Sequence, residues 1–281
     1  MYKKTGKLLS LFLLLVLSFV YTDKVSRTVK ENDPIMKKIT KIKQDTYVKA
    51  VEPIINEDEM IIGYTGIVID EEKSYKTMKK DNKFDKKKLI YKKVLPNKSI
   101  TNNYDYYITR GNPSFNNISI IFKVNSNENI DEVINILNNK NIPASFFVDG
   151  LWLSKNVKEG FKIVESGNMI YNLGYDGKYS KNMINASNNL LESISLKDSI
   201  YCLNENKNDK EKDICKSKKM HTITPTIIEP NLLELKSNID KGTIISYDLN
   251  NINLKQFDIS INMIKSKGYN IVSLNKVLSE N

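Results

Sequence analysis

The sequence predicts an α/β fold made of repeated strand–helix units. Three observations carry this. From Ile118 onward, short apolar runs alternate with helical-period stretches about every 20–25 residues, the pattern of βαβ units and a parallel sheet. The helical stretches place apolar residues at i, i+3, i+4 and i+7. Hydrophobic residues make up 40% of 281 positions, enough for a sizeable core plus an accessory region. Closed into a ring, such units form a (β/α) barrel with its functional groups at the C-terminal ends of the strands. An open doubly wound sheet shares the pattern, and periodicity does not separate the two.

The chain begins with Lys3, Lys4 and Lys7, followed by an uncharged run from Leu8 to Thr22. A basic stretch before an apolar one is the pattern of an export signal. The apolar part is about 14 residues, short of the roughly 17–25 of a membrane-spanning helix. Residues 1–22 therefore read as a signal peptide or an uncleaved signal anchor. Ser18-Phe19-Val20-Tyr21 is a poor cleavage site, and no cysteine follows to take a lipid. The expected location is extracytoplasmic, either secreted or anchored to the membrane. Residues 23–45 are charged, carry Pro34 and read as a linker. Residues 46–110 read as a small accessory region, with a turn and strand over Gly63–Ile69 and a lysine-rich stretch beyond.

The main domain is expected over 117–281. Ile118–Phe122 is a strand, and Ile130, Val133, Ile134 and Leu137 mark a helix. Ala144–Val148 is the second strand. A helix from about Trp152 to Glu165 ends before Gly167. Met169–Tyr171 is the third strand, and Ile184, Leu190, Leu191 and Ile194 belong to the next helix. Ser199–Cys202 opens a fourth strand. Beyond the polar stretch LNENKNDKEKDI lie His221–Thr224, a helix near Leu232–Ile239, a strand at Thr243–Tyr247, a helix near Phe257–Lys267 and a closing strand and helix over Ile271–Leu278.

The net charge is +10, but the lysines are interleaved with Asp and Glu as on a solvated surface, and no nucleic-acid motif accompanies them. The only cysteines, Cys202 and Cys215, flank the polar stretch. Outside the cytoplasm they can oxidise, and their separation is far from C-x-x-C, so a structural disulfide is expected over a metal or redox pair.

Several segments carry a resemblance. Asn141–Trp152 (NIPASFFVDGLW), Ile163–Asn172 (IVESGNMIYN), Lys241–Ile245 (KGTII) and Lys267–Leu274 (KGYNIVSL) fall in the order of matching segments in the polysaccharide deacetylases, the NodB-homology carbohydrate esterases. The resemblance covers roughly Asn117 to Leu278. It implies a distorted (β/α) barrel that removes acetyl groups from chitin, peptidoglycan or related glycans. In that family a divalent metal such as zinc, held by one Asp and two His, activates water, and a second Asp is the base.

The positions that would carry this chemistry are altered. Lys123 stands where the base Asp would be, and Val124 where the metal Asp would be. Leu173 and Gly177 replace the two metal histidines, and Asp248 aligns with a later histidine. The arginine-containing motif after the fourth strand reads Cys202-Leu203-Asn204-Glu205. The chain has one histidine, His221, so one protomer cannot supply two. No cofactor is expected on this reading.

Lys123 can bind an anionic or acetyl oxygen or form a salt bridge. Asp149, Asp176 and Asp248 can hold a hard cation or cap turns, and caps are the preferred reading. Trp152, Tyr175 and Tyr247 can stack on sugar, although packing is the expected role of Trp152. Asn172 matches a family asparagine. Together Lys123, Asp149, Asn172, Tyr175, Asp176, Tyr247 and Asp248 form the expected cleft. His221 reads as a surface or strand-edge residue. The expected partners are an envelope polysaccharide or a protein, and the membrane through the N-terminal segment. Two functions remain: a catalytically degenerate glycan- or partner-binding domain, and a hydrolase with a rebuilt site.

Overall fold

A computed structural model describes residues 2–281, with side chains from residue 12 onward. Lys3, Lys4, Lys7 and the first apolar residues of the expected export signal therefore lie outside the described side chains. The chain forms two compact units, residues 1–50 with 65–94, and residues 51–64 with 95–281.

The first unit opens with α1 (Tyr2–Asn32) and α2 (Pro34–Thr46). Residues 23–45, read from the sequence as a linker, are thus helical. Asp33 caps α2 by accepting from the Ile35 N–H, with Pro34 in the first turn where its missing N–H costs nothing. α2 buries Ile35, Met36 and Ile39. Among the described residues, no helix is long and apolar enough to cross a membrane.

The chain then enters the second unit for β1 (Ile54–Asn56) and β2 (Glu59–Ile61). It returns to the first for β3 (Gly66–Ile69), α3 (Glu71–Lys79) and β4 (Tyr91–Val94). β3 and β4 pair antiparallel, and Ile69 and Met78 share a small core with α2.

The second unit holds β5 (Tyr107–Arg110), β6 (Asn117–Val124), α4 (Ile130–Lys140), β7 (Ser145–Val148), α5 (Gly150–Lys155), α6 (Val157–Glu165), β8 (Met169–Asn172) and α7 (Lys181–Ser195). β9 (Tyr201–Leu203), α8 (Asp209–Ser217), β10 (His221–Ile223), β11 (Ile227–Ile228) and α9 (Leu232–Asn238) follow. β12 (Ile244–Asp248), α10 (Leu254–Ser266), β13 (Asn270–Ile271) and α11 (Leu274–Val277) complete it. The predicted helix over 152–165 is two helices, broken at Asn156, whose side chain donates to the Trp152 carbonyl. The polar stretch after β9 contains α8, capped by Asn208.

The sheet runs β1-β2-β5-β10-β9-β8-β7-β6-β12-β11, with β13 pairing off β6, and is parallel from β2 to β11. It curls until the end of β5 meets the start of β12. There the Gly111 N–H donates to the Gly242 carbonyl at 2.8 Å, and the Thr226 hydroxyl donates to the Thr109 carbonyl at 2.6 Å. Gly242 has φ +77, and a Cβ on it would lie 2.4 Å from the Gly111 oxygen, so glycine is needed on both counts. The α/β barrel expected from the sequence is observed as this curled sheet.

Residues 46–110 do not stay together. β1, β2 and β5 belong to the barrel sheet, and β5 pairs with β10. Four residues of β5 are too few to show a strand period in the sequence, yet Tyr107 and Ile108 are fully buried.

Strand alternation sorts the core into two layers. Ile120, Phe122, Phe146, Ile170, Ile245 and Tyr247 face the helices, where α4, α6 and α10 cover them. Ile121, Phe147, Tyr171, Tyr201, Ile223 and Ile244 fill the barrel interior, which α11 plugs with Leu274 and Val277. One face of each strand thus aims residues near its C-terminal end into the barrel mouth.

Candidate functional site

The barrel mouth is a cleft of ≈ 870 Å³ at the C-terminal ends of β6, β7, β8, β9 and β12. Five carboxylate residues line it (Asp149, Asp176, Glu205, Glu211 and Asp248), with Lys123 and Lys155. A larger cavity of ≈ 1010 Å³ lies within the first unit. It holds none of the sequence-predicted residues, and its charged groups pair locally, as Lys43 does with Glu71 at 2.6 Å.

Lys123 is the centre of the cleft. It sits on the interior face of β6, in register with Asp248 on β12 and Phe147 on β7. Its ammonium donates to Glu205 Oε2 at 2.9 Å and lies 3.4 Å from Asp248 and 3.9 Å from Glu229. The Ser246 hydroxyl donates to the other Glu205 oxygen at 2.6 Å, so both oxygens of that carboxylate are engaged. Burial works against the Lys123 charge, but the hydrogen bond to Glu205 and the fields of Glu205, Asp248 and Glu229 outweigh it. The net effect raises the Lys123 pKa above the ordinary lysine value.

The aspartates do not converge. Asp149 is buried and caps α5, accepting from the Trp152 N–H at 3.0 Å and, through its other oxygen, from the Gly177 N–H at 3.0 Å. Asp176 is exposed in a tight turn and pairs with Lys178 at 3.4 Å. Asp248 accepts from the Asn250 N–H at 3.0 Å and turns its other oxygen toward Lys123. The preferred reading of turn and helix caps describes the observed contacts of Asp149 and Asp248.

Three expected cleft residues, Asn172, Tyr175 and Tyr247, do not line it. Asn172 is fully buried between β8 and α7, donating to Asn188 and the Ile184 carbonyl and accepting from the Gly174 N–H. It sits on the strand face away from the mouth. Tyr247 is on the helix-facing side of β12, packed with Phe122 and Phe257. Tyr175 forms a bridge with Lys178 in the turn after β8. Trp152 borders the cleft but is 7% exposed, and its indole N–H donates to Asn127.

His221, read as a surface or strand-edge residue, stands at the start of a strand but is not on the surface. It is buried at the N-terminal end of β10, opposite the mouth, and stacks on Tyr104 at 4.5 Å between ring centroids. Its Nδ1 has no partner. Burial pulls its pKa down to about 4, opposed only in part by a hydrogen bond to the Asn103 backbone. The expected strand start at this residue is observed, with β10 beginning at the histidine itself.

Cys202 on β9 and Cys215 on α8 form a disulfide beside Ile184 and Met220. It ties down the segment that carries Glu205.

Comparison with known proteins follows the same lines. No family model matches the chain. The uncharacterized protein YlxY of Bacillus subtilis is 26% identical over 240 residues, spanning 78% of this chain and 75% of that protein. Wild-type BA3943 of Bacillus anthracis, described as a CE4 family pseudoenzyme, superposes with a TM-score of 0.67 at 23% identity, covering 89% of this chain and 96% of that one. PdaA of Bacillus subtilis, a family 4 carbohydrate esterase, superposes with a TM-score of 0.54 at 15% identity, over 63% of this chain and 86% of that one. The chain has the polysaccharide deacetylase fold.

Within that fold the motif positions can be tested against a divalent metal. Val124 is fully buried in the helix-facing core. Leu173 packs against the barrel interior, and Gly177 offers only its N–H, which Asp149 accepts. Lys123 brings a cation where a base or ligand would stand. Among the described residues, no group of three or more His, Cys, Asp or Glu is arranged to hold a metal ion. The residues present do not fit the family's metal.

Sequence reasoning missed the roles of Glu205 and Glu229. A signal for Glu205 existed: a lysine aimed into a barrel needs a counter-charge, and Glu205 follows the next strand end but two. Glu229 lies after a two-residue strand that leaves no periodic trace.

Proposed function

We propose that this deacetylase-fold chain is an extracytoplasmic, non-hydrolysing protein that binds cell-envelope polysaccharide through the barrel mouth. The observation that carries the reading is Lys123. A metal hydrolase needs a Lewis acid and a free carboxylate base at this point. Here an ammonium takes the centre, and Glu205 is engaged on both oxygens. What remains is an open, polar cleft with Asn125, Asn156, Asn204 and Asn250 near a tryptophan. Such amide and hydroxyl-matching surfaces suit sugar rings.

The likeness to BA3943, described as a pseudoenzyme, supports the loss of chemistry. The basic and apolar N-terminal run and the Cys202–Cys215 disulfide support a location outside the cytoplasm, where disulfides persist. A rebuilt hydrolase using Asp149, Asp176 or Asp248 would need a free carboxylate; Asp149 and Asp248 are committed to backbone N–H groups, and Asp176 pairs with Lys178 in an exposed turn.

The test is co-sedimentation with purified, insoluble cell-wall glycan, run beside an assay for released acetate. Saturable binding without acetate is the expected result. Acetate release that scales with protein concentration would defeat the non-hydrolysing reading, and no retention on any glycan would defeat the binding reading.

A further inference from the structure

We infer that the first unit is a lipid-binding module: its apolar helix enters a bilayer, and its lysine-rich surface rests on anionic headgroups. The inference stands apart from the glycan reading and concerns residues 1–50 and 65–94 alone.

The first observation is where the charge lies. The first unit carries 21 Lys and Arg against nine Asp and Glu, and the second carries 22 against 24. The positive excess of the chain therefore belongs to the smaller unit. Lysines and acids that alternate along the chain as a whole do not balance within it. Charge asymmetry of this kind marks a surface for an anionic partner. Lys76, Lys80, Lys83, Lys86 and Lys87 lie on α3 or in the segment leading to β4, and all five are exposed. Lys79 and Lys88 pair with Asp33 and Asp81, but these five form no ion pair among the described residues.

The second observation says which anionic partner fits. From Phe12 to Tyr21, every large apolar side chain of α1 is between 46% and 77% exposed. Consecutive residues point to all sides of a helix, so no face of this run is covered. A helix apolar all round belongs in an apolar medium. An acidic polymer offers these side chains nothing, whereas a bilayer with anionic headgroups serves both the run and the lysines. Leu8 to Tyr21 is about 21 Å of helix, long enough to enter the apolar layer and too short to cross its ~30 Å. α1 then continues to Asn32, and the unit holds its last turn: Lys30 pairs with Glu72 and lies 5.3 Å from the Tyr75 ring centroid. Tyr21 to Lys30 is about 14 Å of helix. Insertion of the apolar run therefore keeps the basic surface close to the headgroups, the two-signal form of membrane attachment.

The test is flotation of the full chain, diluted out of detergent, with vesicles of phosphatidylcholine alone or mixed with phosphatidylglycerol. The expected result is binding to both, about tenfold tighter to the anionic vesicles, with that preference lost in high salt. The combined variant Lys76→Gln, Lys80→Gln, Lys83→Gln, Lys86→Gln and Lys87→Gln should cut the preference several-fold. Its thermal midpoint should not move, since all five side chains are exposed and glutamine suits a helix about as well as lysine. Leu14→Asp with Leu17→Asp should weaken binding to both kinds of vesicle. Equal binding to neutral and anionic vesicles, or flotation with neither, would overturn the inference. A preference unchanged in the five-lysine variant would overturn its assignment to this surface. Binding to dextran sulfate as tight as to the anionic vesicles would overturn lipid in favour of an acidic polymer.

Discussion

The two ends of the barrel treat titratable groups in opposite ways. At the mouth, Lys123 keeps its charge because three carboxylates surround it. At the far end, His221 is stacked on Tyr104 with one nitrogen unpartnered, and burial holds it neutral. One end gathers compensated charge, and at the other burial disfavours the charge of His221. A histidine in a barrel of this fold is therefore no sign of a metal site. Its environment decides, and here the environment is aromatic and dry.

The largest expected effect tests the dry end. The folded pKa of His221, about 4, lies below its ordinary value of 6.5, so the unfolded chain binds a proton that the folded chain refuses. Stability should fall as pH drops from about 6.5 toward 4, by about 1.4 kcal/mol per pH unit and roughly 3 kcal/mol in all. His221→Phe should keep the stack on Tyr104 and flatten that slope in chemical denaturation across the window. An unchanged slope would mean that His221 is not the group responsible.

The wall between the ends comes next. Reducing the Cys202–Cys215 disulfide should cost about 2–3 kcal/mol, since it closes a short loop in the unfolded chain. The check is the denaturation midpoint with and without reductant.

The mouth gives a smaller effect. Lys123→Met leaves Glu205, Asp248 and Glu229 facing one another without a cation. A fully buried pair so broken loses roughly 3–5 kcal/mol. The Lys123 side chain keeps 21% exposure, so about 2 kcal/mol is expected. Because its folded pKa is raised, the contribution is complete at neutral pH and is lost only as pH rises through that folded value. The wild-type advantage over Lys123→Met should therefore persist at neutral pH and shrink in alkali.

Asp248→Asn is the mildest change. It keeps an acceptor for the Asn250 N–H and removes one of three charges near Lys123, for about 0.5–1 kcal/mol. A cost equal to that of Lys123→Met would show that Asp248, and not Glu205, is the main counter-charge.

The sequence made the repeating units legible where the strands and helices after Ile118 are long enough to show their own period. α4 is the clearest case, with Ile130, Val133, Ile134 and Leu137 all buried as the spacing requires. The strands contributed by residues 54–61 and 107–110 were not legible. They are short, and their partners are distant in sequence. In the site, the altered motif positions could be read residue by residue. The ion cluster around Lys123 could not, since it depends on loops after β9 and β11 turning inward. Asn172 and Tyr247 were misplaced for one reason: strand register decides which face a residue takes, and a shift of one residue inverts it.

The most direct test of the central claim is metal content and acetate release on the same purified protein. The protein is incubated with excess zinc, desalted and supplied with acetylated peptidoglycan and chitin oligomers. A mouth centred on the Lys123 ammonium predicts no stoichiometric metal and no acetate above the enzyme-free background. Stoichiometric metal, with acetate release abolished by a chelator, would contradict it.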